Sequence, residues 1–270
     1  MIDILLDAFI DLVKLIPFLF ISFIIMEVLE HKIKNYNKLS KANKYGPLVG
    51  SILGIVPQCG FSAVASNLYS VRVITLGTLI SVFLSTSDEM IPILLASKIE
   101  LNIILKILLI KFLLGLLFGI IIDIIIRKKK KPIIKECCIE ESCHCEEGIL
   151  KSSIKHTLKI SFFILVINIL LGFIINENIL IDFLSGNKIL TPIISSLIGL
   201  IPNCASSVVI TKLYASDILS LGSCLAGLLS GSGVGLLILY KQNKNIKENI
   251  MITLLLILIA SICGIAINLI

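Results

Sequence analysis

The sequence has no tryptophan, and only 6% of its 270 residues are aromatic and 16% charged. A soluble domain carries about 25% charged residues, so a water-soluble globular protein is excluded. Disorder is excluded as well: such chains need few large apolar residues and dense charge, whereas 57% of this chain is hydrophobic and its mean hydropathy is +1.05. The sequence contains no GxxxxGK[ST] phosphate cradle, so any transport would be driven by an ion gradient or a partner ATPase rather than by nucleotide bound to this chain. No water-exposed arrangement of nucleophile and base can be traced, and the chain is read as a non-enzyme with no required cofactor. The amino terminus carries Asp3, Asp7 and Asp11 where a secretory signal carries positive charge; it is read as the first transmembrane helix. What remains is an integral membrane protein. At about 20 apolar residues per crossing, the length holds on the order of eight to ten helical segments.

The net charge of +6 is unevenly spread. Basic residues cluster at Lys32 to Lys44, at Arg127 to Lys131 with Lys151, Lys155 and Lys159 beyond, and at Lys241 to Lys247. Loops rich in Lys and Arg stay on the cytoplasmic side, and the RKKKK run sits directly behind an apolar stretch without interleaved aromatics. These are therefore topology signals, and no nucleic-acid partner is expected.

Apolar segments cover roughly 4–29, 47–69, 73–97 and 101–126, then 157–175, 190–214, 217–240 and 248–270. They are too long and too evenly apolar for the alternating strands of an outer-membrane barrel. Shifting the chain by 145 residues lays one set over the other without a gap. Pro47 falls on Pro192, Gly54 on Gly199, Pro57 on Pro202, Cys59 on Cys204, Tyr69 on Tyr214, Ser85 on Ser230 and Gly119 on Gly264. Runs of Leu and Ile align by chance; Pro, Cys, Gly and Tyr together do not. The expected organisation is a membrane repeat over 1–126, a cytoplasmic connector over 127–156 and a second repeat over 157–270.

The basic loops at 31–45 and 127–156 should share the cytoplasmic side, so the stretch between them must cross an even number of times. One re-entrant hairpin or four short spans would satisfy that. Each repeat then has an odd number of crossings, and the two are inverted, as in many secondary transporters. The expected fold is an all-α polytopic membrane protein with two inverted repeats and broken or re-entrant helices. It is placed in a cytoplasmic (inner) membrane of bacterial type.

The breaks are where chemistry is expected. PQCGFS at 57–62 and PNCASS at 202–207 set a proline in mid-segment in both repeats. Proline removes a helical hydrogen bond, and freed backbone at membrane depth is tolerated only inside protein or beside water. The candidate substrate residues are Pro57, Gln58, Cys59 and Ser62 with Pro202, Asn203, Cys204 and Ser207. A second paired break lays SVFLSTSDEMIP (81–92) over AGLLSGSGVGLL (226–237), adding Ser85, Ser87, Ser230 and Ser232. Asp88 and Glu89 lie there in repeat one only; intramembrane carboxylates mark function by default, unless the pair ends a helix at the surface. They suit a hard or borderline cation or a proton relay, whereas Cys59 and Cys204 suit softer ions. Lys111 lies near the centre of 101–126, and it either pairs with Asp88 or Glu89 or lines a cavity alone. Asn168 is expected to wall the path or bridge helices, and Cys224 and Cys263 to be small core residues.

The connector reads KECCIEESCHCEEG. Cys137, Cys138, Cys143, His144 and Cys145 form a soft-metal tract on the reducing side, where disulfides are not expected. Gly46, Gly50 and Gly54, then Gly227, Gly231 and Gly235, and the pair Gly115 and Gly119, are small-residue ladders for close helix packing.

The paired PQCG and PNCA breaks, STSDEMIP and the four-plus-four layout resemble the ten-span heavy-metal exporter family, whose members are also described as arsenic efflux proteins or manganese transporters. The resemblance implies an inner-membrane exporter with the Pro-x-Cys positions and the acidic pair as its hallmarks, and is traced along essentially the whole chain. The chain departs from it at Ala205, where the first repeat has Gly60, and in its Cys-rich connector. The leading expectation is a secondary exporter of a metal or metalloid ion, with Cys59, Cys204, Asp88 and Glu89 as transport-site ligands and a proton or sodium as coupling ion. Its partners are the lipid bilayer and the transported ion, and a homo-oligomer is open. An alternative is an oxyanion or small organic anion held at half-helix N-termini with help from Lys111. A third is a membrane sensor that reads metal through the connector, which replacing Cys137 to Cys145 would abolish.

Overall fold

The computed structural model describes residues 45–56, 59–87, 90–126, 189–202 and 204–269, with scattered helical positions in 13–24 and 154–166. Among them there is no strand, and ten helices follow in order: α1 (Gly46–Ile55), α2 (Cys59–Ser70), α3 (Leu76–Ser85), α4 (Met90–Ala96), α5 (Leu101–Ile125), α6 (Leu190–Gly199), α7 (Cys204–Ala215), α8 (Leu221–Ser230), α9 (Gly235–Gln242) and α10 (Ile246–Leu269). Among the described residues, four stretches are long and apolar enough to cross a membrane: Leu76–Ala96, Leu101–Ile125, Leu221–Gln242 and Ile246–Leu269. The protein is an all-helical, multi-pass membrane protein.

Both interrupted segments of each set are split where the sequence places the breaks. Twelve residues, the length of α2 and of α7, rise about 18 Å, well short of a hydrocarbon core of about 30 Å. The second five helices follow the first at the same 145-residue offset: α2 and α7 begin at Cys59 and Cys204, α3 and α8 end at Ser85 and Ser230. Even backbone detail recurs, since Arg72 and Asp217, equivalent residues after α2 and α7, both have positive φ (62° and 57°).

Small residues bring the helices together. An idealised Cβ on Gly46 would touch Thr78, one on Gly50 would touch Val82, and one on Gly54 would touch Ser85, so α1 runs parallel to α3. Gly115 and Gly119 of α5 approach Ser85 and Gly77 in the reverse sense, making α5 antiparallel. In the second set Gly199 and Gly227 pack α6 along α8, and Gly264 lies on Gly222 across α10. The half-helices cross over between sets: α2 packs on α9, and α4 on α7. Two cores result. In one, Phe83 and Leu79 join Leu229, Leu239 and Leu256; in the other, Met90, Leu94 and Ile107 join Ile210, Leu213 and Leu228. Cys224 and Cys263 are buried in these cores as expected.

Helix α5 separates its faces cleanly. Leu101, Leu105, Leu109, Leu113 and Leu117 are exposed, a stripe fit for lipid, while Ile104, Ile107, Lys111, Gly115, Gly119 and Ile122 face the protein.

Paired caps start the central helices. Thr75 and Ser220 accept hydrogen bonds from the backbone N–H of Thr78 and Ser223, satisfying donors that a helix start leaves orphaned. Asp123, near the end of α5, accepts from the Gly77 N–H at 2.8 Å and from the Thr75 hydroxyl at 2.7 Å. Its equivalent Asn268 accepts from the Gly222 N–H at 3.0 Å. An amide thus does in one set what a carboxylate does in the other. Asp123→Asn should therefore change stability by less than about 0.5 kcal/mol, whereas Asp123→Ala should lose about 1–2 kcal/mol, read as melting of the protein in detergent.

Candidate functional site

The breaks are drawn to one place by backbone carbonyls. A helix leaves its last four C=O groups without intrahelical donors, and at membrane depth other donors must come from the protein. In the first set, Ser87, just past α3, donates its hydroxyl to the Ile55 carbonyl at the end of α1 (2.6 Å). In the second, a Cβ on Gly231 would lie 3.5 Å from both the Gly199 carbonyl and the Ser207 hydroxyl. The sets are then tied to each other. Ser66 of α2 donates to the Gly235 carbonyl at the start of α9 (2.7 Å), and Ser62 lies against the same glycine.

Lys111 sits at the centre of this arrangement. Its Nζ donates to the Thr86 carbonyl just past α3 and to the Leu228 carbonyl in the last turn of α8 (2.8 Å). The side chain is wholly buried. Position 111 lies ten residues into α5, about 15 Å along its axis, near half the thickness of a hydrocarbon core. Each helix C-terminus carries about half a negative charge, so two such ends meeting at one point make a carbonyl-lined, cation-favouring position. The equivalent residue in the second set is Leu256, buried in the core.

The remaining expected residues fall as follows. The Ser85 hydroxyl bonds back to the Ser81 and Val82 carbonyls, and that of Ser230 to the Gly227 carbonyl; both face a glycine, Gly54 and Gly199, across the helix pair. The Ser232 hydroxyl, in the α8–α9 break, is buried and has no hydrogen-bond partner among the described residues. Pro202 is half-buried in the α6–α7 break. Cys59 and Cys204 are the first residues of α2 and α7, and their side chains lie outside the described residues. So do Pro57, Gln58, Asp88, Glu89, Asn168, Asn203 and the connector residues Cys137, Cys138, Cys143, His144 and Cys145. Among the described residues no three of His, Cys, Asp and Glu come together as a metal site.

A profile of the family described as "Putative, 10TM heavy-metal exporter" matches residues 1–185. The chain belongs to this family. The exporter family's match ends before α6, so the second set of helices is linked to it here through the internal 145-residue register rather than through the match itself. No curated protein and no solved structure matches the chain.

Two groups of residues escaped the sequence reading. One is the Asp123 and Asn268 cap pair, for which the 145-residue register carried a signal: an isosteric Asp and Asn at equivalent positions, opposite the equivalent glycines Gly77 and Gly222. The other is a buried ion pair. Arg72, in the α2–α3 turn, grips Glu248 of α10 with both guanidinium arms at 2.6 Å, the Tyr69 hydroxyl donates to the same carboxylate, and Arg72 lies 5.0 Å over the Tyr69 ring. The hydrogen bond to Glu248 raises the Arg72 guanidinium above its ordinary pKa, against the opposite pull of burial. The 145-residue register places Asp217 of the second set opposite Arg72 and Ile103 of the first set opposite Glu248, so this ion pair is not duplicated at the equivalent positions.

Proposed function

We propose that this exporter is a secondary active transporter of a metal or metalloid ion, with manganese, arsenic or another heavy metal as cargo and a path between the paired breaks. The observation that carries the proposal is the meeting of the α3 and α8 carboxyl ends at a buried, carbonyl-lined position at mid-depth. In transporters built from broken helices, such ends and unwound carbonyls coordinate cations. The Ser232 hydroxyl, without a partner among the described residues, supports the reading, because a buried polar group is costly unless some partner, ligand or water satisfies it. In this reading the repeats are inverted, α3 and α8 arrive from opposite faces of the membrane, and Cys59 and Cys204 supply soft ligands where α2 and α7 begin. Asp88 and Glu89 add charge on the first-repeat side. The setting is a cytoplasmic membrane of bacterial type.

The anion alternative draws less support. Lys111, its proposed positive contact, already gives its protons to two carbonyls. Proteoliposomes loaded in turn with manganese, zinc, cadmium and arsenite test the proposal: saturable flux of at least one of them is expected, and flux no faster than in empty liposomes for all four would overturn it.

A further inference from the structure

We propose that Arg72, Tyr69 and Glu248 form the cytoplasmic gate of the exporter, a clamp of α2 on α10 that must open for cargo to enter, and that the structure has this side shut and the opposite side open. The inference rests on the transporter reading with inverted repeats and is independent of which ion is the cargo.

The clamp lies at a membrane face. Glu248 is in the first turn of α10, which is long and apolar enough to span the membrane. Tyr69 is ten residues beyond Cys59 on α2, about 15 Å from the break by helical rise, or half a hydrocarbon core. Helix α10 follows the Lys241 to Lys247 block, which assigns this face to the cytoplasm; α5 instead runs into the Arg127 to Lys131 block, so its start belongs to the other face. At the clamp the first set of helices is joined to the second through one carboxylate. Arg72 grips Glu248 with both arms at 2.6 Å, the Tyr69 hydroxyl donates to it, and the Asn245 amide donates at 3.3 Å. A bidentate guanidinium–carboxylate pair is strong and specific in its geometry. A buried pair nevertheless adds little net stability over apolar packing, and its best-attested use is to fix one arrangement against another.

The 145-residue register supplies the comparison. The equivalent clamp would hold the α7–α8 turn on α5, but the residues there are Asp217 and Ile103, and no ion pair can form between them. The two turns differ in exposure accordingly. Val71 and Val73 are buried, whereas their equivalents Ser216 and Ile218 are exposed, and buried Asn67 is matched by exposed Lys212. Two copies of one unit in different surroundings are expected of a transporter closed on one side, because rocking of one repeat against the other exchanges their environments. The Asn67 amide adds a reason for opening. It is 1% exposed and has no hydrogen-bond partner at either atom among the described residues. Leaving such a group dry is costly, and water that enters along α2 when the clamp releases would offset that cost in the other state.

The test uses the purified full chain with its native cysteines and two reporters at equivalent positions, Val71→Cys and Ser216→Cys, labelled with a hydrophilic maleimide and read at those residues by mass spectrometry. With the clamp intact, Ser216→Cys should label at least tenfold faster than Val71→Cys. Arg72→Gly with Glu248→Gln removes both charges and suits the positive φ at residue 72. It should speed Val71→Cys at least fivefold and slow Ser216→Cys at least twofold, because opening one side closes the other. A merely structural contact, once loosened, would speed Val71→Cys and leave Ser216→Cys unchanged or faster; that result overturns the gate, as does no change at either reporter. Should the double variant fail to fold, Tyr69→Phe, which takes one hydroxyl from the clamp, should move the two rates in the same opposed directions, and rates that stay as in wild type overturn the proposal. Flux of manganese, zinc, cadmium and arsenite in proteoliposomes separates the two readings. Opposed labelling changes without flux of any of the four keep the gate and remove metal export, whereas flux without opposed labelling changes keeps metal export and removes the gate.

Discussion

Gly77→Ala and Gly222→Ala should each sharply lower the yield of folded protein and its melting temperature in detergent. A Cβ at Gly77 would stand 2.1 Å from the Gly119 carbonyl oxygen and 2.5 Å from the Asp123 carboxylate carbon. At Gly222 it would stand 2.3 Å from both the Gly264 carbonyl and the Asn268 amide oxygen. At each position one of the overlapping atoms is a backbone carbonyl oxygen, of Gly119 or of Gly264, so side-chain rotation alone does not relieve the overlap. The helices α3 and α5, or α8 and α10, must move apart. Overpacking of this kind costs about 1–3 kcal/mol. The separation also breaks the hydrogen bond from Gly77 or Gly222 N–H to the capping side chain, worth about 1 kcal/mol more. Gly231→Ala is the comparison: its nearest neighbours lie 3.3–3.5 Å from the added carbon, so its melting temperature should stay much closer to wild type. If Gly77→Ala and Gly231→Ala melt together, the close approach of α3 and α5 is not a determinant of the fold.

The second large effect is expected at Arg72. The side chains of Arg72 and Glu248 are only 10% and 9% exposed, and breaking a buried pair by removing one partner leaves an uncompensated charge at a cost of about 3–5 kcal/mol. Tyr69 and Asn245 would still donate to Glu248, which places Arg72→Ala toward the lower end. Its positive φ adds a second contribution, because a left-handed conformation costs an alanine about 1 kcal/mol that glycine avoids. Arg72→Gly should therefore be less destabilised than Arg72→Ala although both lose the guanidinium. Removing both charges, as Arg72→Gly with Glu248→Gln, should recover part of the loss. Equal melting of Arg72→Ala and wild type would show that the pair contributes nothing to holding the α2–α3 turn on α10.

Much of the frame was legible in the sequence because duplication converts weak local signals into paired ones. One proline in an apolar run is ambiguous; Pro57 and Pro202 in register, each before a cysteine and small residues, located the breaks between α1 and α2 and between α6 and α7. The second breaks followed from the recurring Ser85 and Ser87, Ser230 and Ser232. What the sequence could not carry was which distant backbone groups each polar side chain meets. Ser85 and Ser230 look like ligands in a string of letters, yet their hydroxyls return to their own helices. Lys111 was expected beside Asp88 or Glu89, which lie outside the described residues, or lining a cavity alone; its bond to the Leu228 carbonyl, 117 residues away, was beyond the sequence because backbone carbonyls have no residue signature. Arg72 and Glu248 went unnoticed for the same reason. Each sits at a helix boundary where charge is ordinary, and only the packing of α2 and α3 on α10 brings them together.

Cell metal content by mass spectrometry, after loading with manganese, zinc, cadmium and arsenite, tests metal export through the paired breaks most directly. Cells expressing the wild-type chain should be depleted of one element relative to cells without it, and the Cys59→Ser, Cys204→Ser double variant, present in the membrane at equal level, should restore that element. No difference for any element would contradict metal export, and equal depletion by the double variant would contradict a path lined by the two cysteines.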